Sequence, residues 1–204
     1  MTHRVVLATR NEHKIVELRR ILNDAELDVE LVGTDEFPDL PDVAETGSTF
    51  AANALLKARD VASRTGLIAI ADDSGLSVNA LNGMPGILSA RWAGKHGDDQ
   101  ANLDLVLAQL VDVPQHRRGA AFHCAAAVAT PEGDERVVEG VLEGSVIDAP
   151  RGTNGFGYDP IFTPHGYVLT TAELRPQEKD AISHRGQAFR ALVPVLVELL
   201  QQPD

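Results

Sequence analysis

The stretch LIAIADDSGLSVNAL, residues 67–81, sets two adjacent carboxylates between two apolar segments. The segments at 67–71 and 76–81 have the composition of strands, whereas aspartate is depleted in strands and neighbouring carboxylates repel each other. The sequence therefore predicts two strands that flank an acidic turn containing Asp72 and Asp73. An ordinary Asx-type turn would explain such residues, but a pair of carboxylates also suits Mg²⁺, which prefers oxygen ligands.

Strand-like and helical patterns alternate along the rest of the chain. Strand-like composition recurs in four further segments, at residues 4–9, 28–34, 119–130 and 136–147. Helical periodicity or capping marks four others, at residues 11–22, 49–66, 98–110 and 183–201. Only PEGDE separates the last two strands, so they are predicted to form a long hairpin. We therefore expect one α/β domain over residues 1–204, with a mixed, twisted central sheet and flanking helices.

Capping residues and loops give the predicted boundaries. Ser48 or Thr49 is expected to cap the helix at 49–66, and Gly66 is expected to end it. The other helices follow a residue that can cap them: Asn11, Asp98 or Asp99, and Ser183. Loops are predicted at residues 37–49, 82–97 and 148–160.

Composition restricts the class of protein. The chain has 204 residues, 44% of them hydrophobic, and its net charge of −12 argues against a nucleic-acid partner. No apolar run approaches the roughly 20 residues of a membrane-spanning helix, and the N-terminus lacks a signal-peptide pattern. A cytoplasmic protein without a membrane partner is therefore expected. Cys124 is the only cysteine, which excludes an intramolecular disulfide, and its apolar surroundings indicate a core residue.

Polar residues near two helix starts form the first candidate sites. ATRNEHK, residues 8–14, joins a strand to a helix N-terminus, which is a common place for a phosphate. Lys14 in the first turn opposes the helix dipole, so it either meets an anion or points to solvent. Glu45, in the loop before the second helix, could add an oxygen ligand to the acidic pair.

Two further groups lie in the C-terminal third. GTNGFGYDP, residues 152–160, has three glycines that let backbone approach a ligand, and Phe156 or Tyr158 offers a ring for stacking on a base. EKDAISHRGQ brings three cationic or titratable side chains to a helix start: Lys179, His184 and Arg185. The alternatives are a flexible loop with a hydrophobic plug and a solvated helix face.

Standard nucleotide-binding motifs do not occur in the sequence. It has no P-loop, no complete dinucleotide fingerprint and no nucleophile elbow around Ser74. Cations, paired carboxylates and a possible stacking ring nevertheless occur together. This combination predicts a Mg²⁺-bound nucleoside phosphate held without a P-loop.

Five sequence blocks resemble the motifs of the inosine triphosphate pyrophosphatase family, the noncanonical purine nucleoside triphosphate pyrophosphatases. They are TRNEHKIVEL, ETGSTFAANALLKA, ADDSGLSVNALNGMPGILSARWAG, GFGYDPIF and AELRPQEKDAISHRGQA, in family order from residue 8 to about 187. The resemblance implies an elongated, two-lobed molecule with a central active-site cleft, usually a homodimer. It also implies Mg²⁺-dependent hydrolysis of ITP, dITP and XTP to monophosphate and pyrophosphate, which removes deaminated purines from the nucleotide pool.

The resemblance also implies roles for individual residues. Asp73 matches the general base and a metal ligand, Asp72 its catalytic neighbour, and Glu45 a second metal ligand. Matches to substrate-binding positions are Thr9, Arg10, Asn11, Glu12, His13, Lys14, Lys57, Ser74, Phe156, Gly157, Tyr158, Asp159, Lys179, His184 and Arg185. In the implied mechanism a water activated by Asp73 attacks the α-phosphorus, and cations neutralise the departing pyrophosphate.

Two positions depart from the family pattern, and rival functions stay open. Arg10 replaces a common glycine, and Ala52 stands where many members carry glutamate.

The rival functions are a pyrophosphatase for pyrimidine or modified nucleotides and a noncatalytic nucleotide sensor. A structural or nucleic-acid-binding protein is the third, and the net charge disfavours it. Donors aimed at the purine 6-oxo group would accept ITP and reject ATP; candidates are Arg185, His184 and N–H groups of the Gly-rich loop.

Overall fold

Strands and helices alternate, as predicted, over residues 3–201, which this computed structural model describes apart from the side chains of Glu12 and His13. The strands are β1 (His3–Leu7), β2 (Val29–Gly33), β3 (Ile68–Val78), β4 (Gly119–Ala129), β5 (Glu135–Val146) and β6 (Phe162–Pro164). The helices are α1 (Glu12–Asp24), α2 (Phe50–Thr65), α3 (Asp99–Gln109), α4 (Pro176–Ile182) and α5 (His184–Leu200). Within these residues, no helix combines the length and apolar character that a membrane span requires.

The strands form one mixed sheet in the order β2-β1-β3-β4-β5-β6. β1 is parallel to β2 and to β3, with Val5 opposite Leu31 on one side and Ile68 on the other. β6 is antiparallel to β5, with Val146 opposite Phe162. The neighbours β4 and β5 are joined by a short connection, which only an antiparallel hairpin permits. The predicted α/β class, mixed sheet and hairpin are confirmed.

The predicted acidic turn is wrong, because β3 is a single strand that includes Asp72 and Asp73. Neighbouring side chains on a strand point to opposite faces of the sheet, which separates the two carboxylates. The buried charge of Asp72 is also compensated, since its Oδ2 lies 2.8 Å from Lys14 Nζ and 3.2 Å from Arg185 Nε. Ion pairs with distant residues therefore override the low strand propensity of aspartate.

The short helix α4 was absent from the sequence prediction, although the sequence carries its signals. Pro176 occupies the first turn, where the missing N–H costs nothing. Glu178 Oε2 accepts a hydrogen bond from Arg175 N at 3.0 Å, which caps the N-terminus. The predicted strand at 76–81 also ends early, because Asn79–Leu81 forms a 3₁₀ turn.

The chain divides into two compact units. The first contains residues up to 73, 124–140 and those from 185 onward, and the second contains residues 74–123 and 141–184. In the first unit, α1 and α5 pack on β1 and β4 through large apolar side chains. The helix α2 packs on β1, β3 and β4 mainly through alanines. The second unit has its own core, which includes Leu76, Phe122 and Phe162. The expectation of two lobes around a cleft stays a prediction.

The ends of α2 follow the predicted caps. Thr49 Oγ1 accepts a hydrogen bond from Ala52 N at 3.1 Å, so Thr49 rather than Ser48 is the N-cap. Gly66 ends the helix at φ 67°, a left-handed angle that suits glycine. These boundaries place Asn53 and Lys57 one turn apart, and both take part in the site described below.

Replacing the N-cap should test this assignment. We expect Thr49→Ala to lower the free energy of unfolding by about 1 kcal/mol, because it leaves the N–H of Ala52 without its acceptor. Ser48→Ala is the matched control, and we expect it to change that free energy by less than about 0.5 kcal/mol. Urea unfolding followed by circular dichroism would measure both. Equal losses from the two variants would contradict the assignment.

Candidate active site

The alternation of β3 gives the two adjacent aspartates different surroundings. Ile70, on the same face as Asp72, belongs to the apolar cluster that includes α1 and α5. Ala71, on the same face as Asp73, belongs to the cluster that includes α2. Each carboxylate therefore meets a different set of helices, and all of these residues lie in the first unit.

Asp72 is the centre of a largely buried ion network. Its Oδ2 contacts Lys14 Nζ of α1 at 2.8 Å and Arg185 Nε of α5 at 3.2 Å. Arg185 Nη1 also lies 3.4 Å from Glu17 Oε2, one turn after Lys14 on α1. The side chain of Asp72 is 0% exposed and that of Arg185 is 4% exposed, so water screens this network little. The network fixes α1 and α5 to the central strand.

The central carboxylate of this network, Asp72, stays ionised at neutral pH. Burial alone would raise the pKa of the Asp72 carboxyl, but the charges of Lys14, Arg185 and Lys57 hold that pKa well below its usual range. Burial and the charge of Asp72 raise the pKa of the Cys124 thiol, whose Sγ lies 3.9 Å from Asp72 Oδ2. Cys124 is therefore a neutral core residue, which confirms the sequence interpretation.

Asp73 is held by two residues of α2. Its Oδ2 accepts a hydrogen bond from Asn53 Nδ2 at 2.9 Å, and its Oδ1 lies 3.9 Å from Lys57 Nζ. Lys57 Nζ also donates to Glu45 Oε1 at 2.7 Å. The two predicted metal ligands, Asp73 and Glu45, are thus both within 4 Å of the same ammonium group.

The protonation behaviour of Asp73 differs from that of Asp72. Burial raises the pKa of Asp73 and Glu45 adds to the increase, while Lys57 and the Asn53 hydrogen bond reduce it without cancelling it. Burial alone would lower the pKa of Lys57, but Asp72, Asp73 and Glu45 together raise it, so Lys57 stays protonated. A carboxylate with a raised pKa is a better general base near neutral pH. The two neighbours are therefore suited to different roles.

The segment between β1 and α1 has the backbone expected of a helix start. Asn11 O accepts from Ile15 N at 3.3 Å, which puts Asn11 at the N-cap position as predicted. Thr9 Oγ1 accepts from Asn11 N at 3.2 Å. Lys14 turns to Asp72, so the cation at this helix end meets an anion of the protein.

Arg10 extends away from the helix start. Its Nη2 donates to Leu40 O at 3.2 Å and lies 3.3 Å from Asp42 Oδ1, in the loop between β2 and α2. Its guanidinium is largely exposed, so this pair is weak and could open. The predictions of substrate binding by Glu12 and His13 concern side chains that lie outside the described residues.

In the second unit, Asp159 organises the Gly-rich loop. The buried carboxylate accepts from Phe156 N at 2.8 Å and Thr171 Oγ1 at 2.8 Å, and it forms an ion pair with Lys179. Lys179 Nζ also lies 5.3 Å from the centre of the Phe156 ring. At Gly155, with φ 75°, a Cβ would collide with Asp159. Asp159 therefore shapes the loop that presents Phe156.

Other predicted substrate residues of this unit are held by neighbours. Tyr158 is buried, and its hydroxyl donates to Ser89 O at 2.8 Å, so its ring is part of the core. Gly157 N donates to Asp99 Oδ2 at 2.8 Å. The His184 ring stacks on Phe122, with centres 4.8 Å apart.

Ser74 is the remaining predicted substrate residue. It lies on β3 directly after the acidic pair and is partly buried. By the alternation of β3, its side chain leaves the sheet on the same side as that of Asp72. The substrate-binding role that the resemblance implies for Ser74 stays a prediction.

The oxygen donors around Asp73 fit a hard divalent cation. Carboxylates are the preferred protein ligands of Mg²⁺, and Asp73 and Glu45 supply two. Asp72 Oδ1 is buried without a hydrogen-bond partner among residues 3–201, but its side chain leaves β3 on the face opposite to that of Asp73 and does not add to this set of donors. Residues 3–201 contain no group of three or more His, Cys, Asp or Glu side chains arranged to hold a metal. Two carboxylates would therefore need oxygens from the substrate, as is usual for Mg²⁺ with nucleotides.

Sequence reasoning missed two residues of this site, Glu17 and Asn53. Both are buried, and each contacts a residue that was predicted, Arg185 and Asp73 respectively. A signal existed, because Glu17 is one turn from Lys14 and Asn53 is one turn from Lys57 on the respective helix faces.

Comparison with known proteins gives a consistent assignment. A model of the Ham1 family matches residues 5–195. The chain is 66% identical over 197 residues to a Streptomyces coelicolor protein named dITP/XTP pyrophosphatase, which covers 97% of this chain and 98% of that one.

Solved structures agree with the family match. One is a nucleoside-triphosphatase, dITP/XTP pyrophosphatase, from Mycobacterium abscessus. It is 57% identical, with TM-score 0.78, over 94% of this chain and 99% of that chain. Another is a HAM1 protein from Coxiella burnetii, 46% identical with TM-score 0.88, over 97% of this chain and 100% of that chain. The α/β fold predicted from the sequence is the fold of these proteins.

The contrast between the two aspartates predicts opposite effects on stability. Asp72→Asn leaves Lys14 and Arg185 without their shared carboxylate, so we expect the free energy of unfolding to fall by about 3–5 kcal/mol at neutral pH. Asp73→Asn should change it by less than about 1 kcal/mol or increase it, because a raised folded-state pKa means that ionisation of Asp73 opposes folding. Urea unfolding would measure both.

The pH dependence of the free energy of unfolding supplies the control for this prediction. The pKa of Asp72 is lowered in the folded protein, so its contribution is complete above its unfolded-state pKa and is lost as the pH falls toward the folded value. The difference in stability between the wild type and Asp72→Asn should therefore narrow in acid. Equal losses from the two substitutions at neutral pH would contradict the assigned roles.

Proposed function

The chain belongs to the Ham1 family, and from that premise we propose that it is a nucleoside triphosphate pyrophosphatase acting on ITP, dITP and XTP. It cleaves the bond between the α- and β-phosphates and releases the nucleoside monophosphate and pyrophosphate. Relatives at 54–66% identity over nearly the whole chain carry the name dITP/XTP pyrophosphatase, which supports this activity. The biological role is the removal of deaminated purines from the nucleotide pool.

The observation that carries the proposal is the position of the buried Asp73 beside Lys57 and Glu45, where burial raises the pKa of its carboxyl. Hydrolysis needs a base that can take a proton from water at neutral pH, together with positive charge for the phosphates. Asp73 supplies the first, and the protonated Lys57 supplies part of the second. A protein that only senses nucleotides has no need of such a base.

In the proposed mechanism, Asp73 accepts the proton of a water molecule that attacks the α-phosphorus in line with the departing pyrophosphate. Mg²⁺ is the cation that we propose for Asp73 and Glu45, and when bound it supplies charge neutralisation of the phosphates. Lys14 and Lys57 add positive charge where the pyrophosphate departs. Asp72 stays ionised and keeps Lys14 in place. No covalent enzyme intermediate is required.

We propose that the enzyme selects among purine nucleotides by the substituent at the 6-position of the base. Hypoxanthine and xanthine carry a 6-oxo acceptor, whereas adenine carries a 6-amino donor, so a donor fixed at that atom rejects ATP. We propose His184 and backbone N–H groups of the Gly-rich loop as donors, and the Phe156 ring as the stacking surface. Arg185 is already engaged by Asp72 and Glu17, so we assign it to support of the site rather than to direct recognition of the base.

The proposal includes a homodimer as the functional form. This rests on the resemblance to the family, and sedimentation equilibrium of the pure protein would test it. A protein that sediments as a monomer at assay concentration, and is fully active there, would remove the dimer from the proposal without affecting the proposed reaction.

The reaction and its specificity can be tested together. With Mg²⁺ and equal concentrations of ITP, XTP, GTP, ATP and dTTP, we expect monophosphate and pyrophosphate from ITP and XTP and little product from the others. Chromatography would identify the products, and chelation of the metal should stop the reaction. Preferred turnover of dTTP would favour the rival reading as a pyrimidine nucleotide pyrophosphatase.

The position of attack needs an isotope measurement. In ¹⁸O-labelled water, attack at the α-phosphorus places the label in the monophosphate, whereas attack at the β-phosphorus places it in pyrophosphate. We expect the label in the monophosphate. Release of diphosphate and orthophosphate instead would contradict cleavage between the α- and β-phosphates.

Removal of the proposed base should separate catalysis from binding. We expect Asp73→Asn to lower kcat for ITP by about 10²–10⁴-fold, the usual contribution of a general base, while the protein stays folded. The exposed Asp104→Asn is the control and should change kcat by less than about twofold. Near-normal turnover by Asp73→Asn would end this assignment. Tight ITP binding without turnover by the wild type would favour a sensor.

A further inference from the structure

Asn53 is a fully buried polar residue inside α2 that uses both halves of its side-chain amide. Nδ2 donates to Asp73 Oδ2 at 2.9 Å, and Oδ1 accepts from Gly47 N at 2.8 Å. Asparagine is a weaker helix former than alanine, the residue that otherwise dominates the buried face of α2. Its presence there therefore calls for a reason other than helix stability.

The chemistry of its partners fixes the orientation of this amide. The N–H of Gly47 can only donate, and an ionised Asp73 can only accept. Rotation of the amide by 180° would set acceptor against acceptor and donor against donor. Asn53 can therefore satisfy both partners in one orientation, which makes it a rigid link between two segments.

The link reaches the loop that carries Glu45. Gly47 approaches Asn53 so closely that a Cβ added to it would lie 2.7 Å from Asn53 Oδ1 and 2.8 Å from Ala52 Cβ. The backbone two residues after Glu45 is thus held against the start of α2. Glu45 itself contacts the same helix through Lys57.

The link also distinguishes the two oxygens of Asp73. Asn53 binds Oδ2, and Oδ1 is the oxygen on the side of Lys57, 3.9 Å from its Nζ. Lys57 in turn contacts Glu45 at 2.7 Å. Rotation of the Asp73 carboxylate out of this orientation would break the bond to Asn53.

We propose that Asn53 is a positioning residue that holds Asp73 and the Glu45 loop in one fixed arrangement for the metal and the attacking water. This inference rests on the proposed function, since it assigns Asp73 as base and ligand and Glu45 as ligand. Asn53 does not touch the reacting atoms. It acts through the carboxylate that it orients and through the loop that it anchors.

The test compares Asn53→Leu with Asn102→Leu. Leucine has the branched shape of asparagine and makes neither hydrogen bond, and its larger volume is shared by the control variant. Asn102 is a matched control, because it is also buried in a helix and its Oδ1 accepts from a loop N–H, that of Ala93, at 2.7 Å. Each leucine therefore leaves one backbone N–H without its acceptor, and because Asn53→Leu also removes the donor to Asp73, we expect it to lose somewhat more stability than Asn102→Leu.

Catalysis and metal affinity should separate the two variants. For Asn53→Leu we expect kcat with ITP to fall about 10–100-fold, as is typical when a residue that orients a metal ligand is lost, with KM for ITP changed less than about threefold. Calorimetric titration of Mg²⁺ into protein saturated with a nonhydrolysable α,β-imido analogue of ITP should show a similar loss of affinity. Asn102→Leu should stay within about threefold of the wild type in all of these measurements.

The outcomes distinguish this inference from the proposed function. If the wild type releases no pyrophosphate from ITP, the proposed function fails. If the wild type is active and Asn53→Leu keeps its kcat and Mg²⁺ affinity within about threefold, the positioning role is overturned. If Asn53→Leu does not fold, Asn53→Ala replaces it, because alanine is a good helix former and also makes neither hydrogen bond. Normal turnover by Asn53→Ala would equally overturn the role.

Discussion

A negative charge buried in the middle of β3 is the constraint on which the rest of the site depends. Asp72 stays ionised there chiefly because α1 and α5 each bring a cation to its Oδ2. The same two helices fill the apolar cluster beside it, with Leu18 of α1 and Phe189 of α5. The ion network and the hydrophobic core thus favour one arrangement of helices, and this agreement specifies the fold.

The adjacent position shows how environment divides chemistry between two identical residues. Asp72 faces cations that hold its pKa down, whereas Asp73 faces α2, where burial and Glu45 raise its pKa against the opposing Lys57 and Asn53. The two-residue period of a strand is sufficient to create this difference. A buried, ionised group supports the site, and we propose that its neighbour exchanges a proton with water.

The sequence predicted the features that depend on local chemistry. Strand composition, the Thr49 cap and the Gly66 stop involve residues close in the chain, and the structure has them as expected. The prediction of an acidic turn was wrong because a continuous strand at this point depends on the ion pair of Asp72 with Arg185, which lies 113 residues further along the chain. Asn53 lies one turn from Lys57, a signal that the sequence contains, but only the contacts of its amide with Gly47 and Asp73 show what it does. The resemblance to a known family brought Glu45 and Asp73 together as ligands, but not the lysine and asparagine contacts that arrange them.

The alanines of α2 have a consequence for how this protein can change over evolution. Ala54, Ala58 and Ala62 pack against small residues of β3 and β4, among them Ala69 and Ala125. Because these small side chains bring the helix close to the sheet, a larger residue at any of these positions would push the helix away from the sheet. The helix carries Asn53 and Lys57, and any lift would move both relative to Asp73. The proposed roles of Asn53, Lys57 and Asp73 would therefore restrict substitutions in this layer through catalysis as well as through stability.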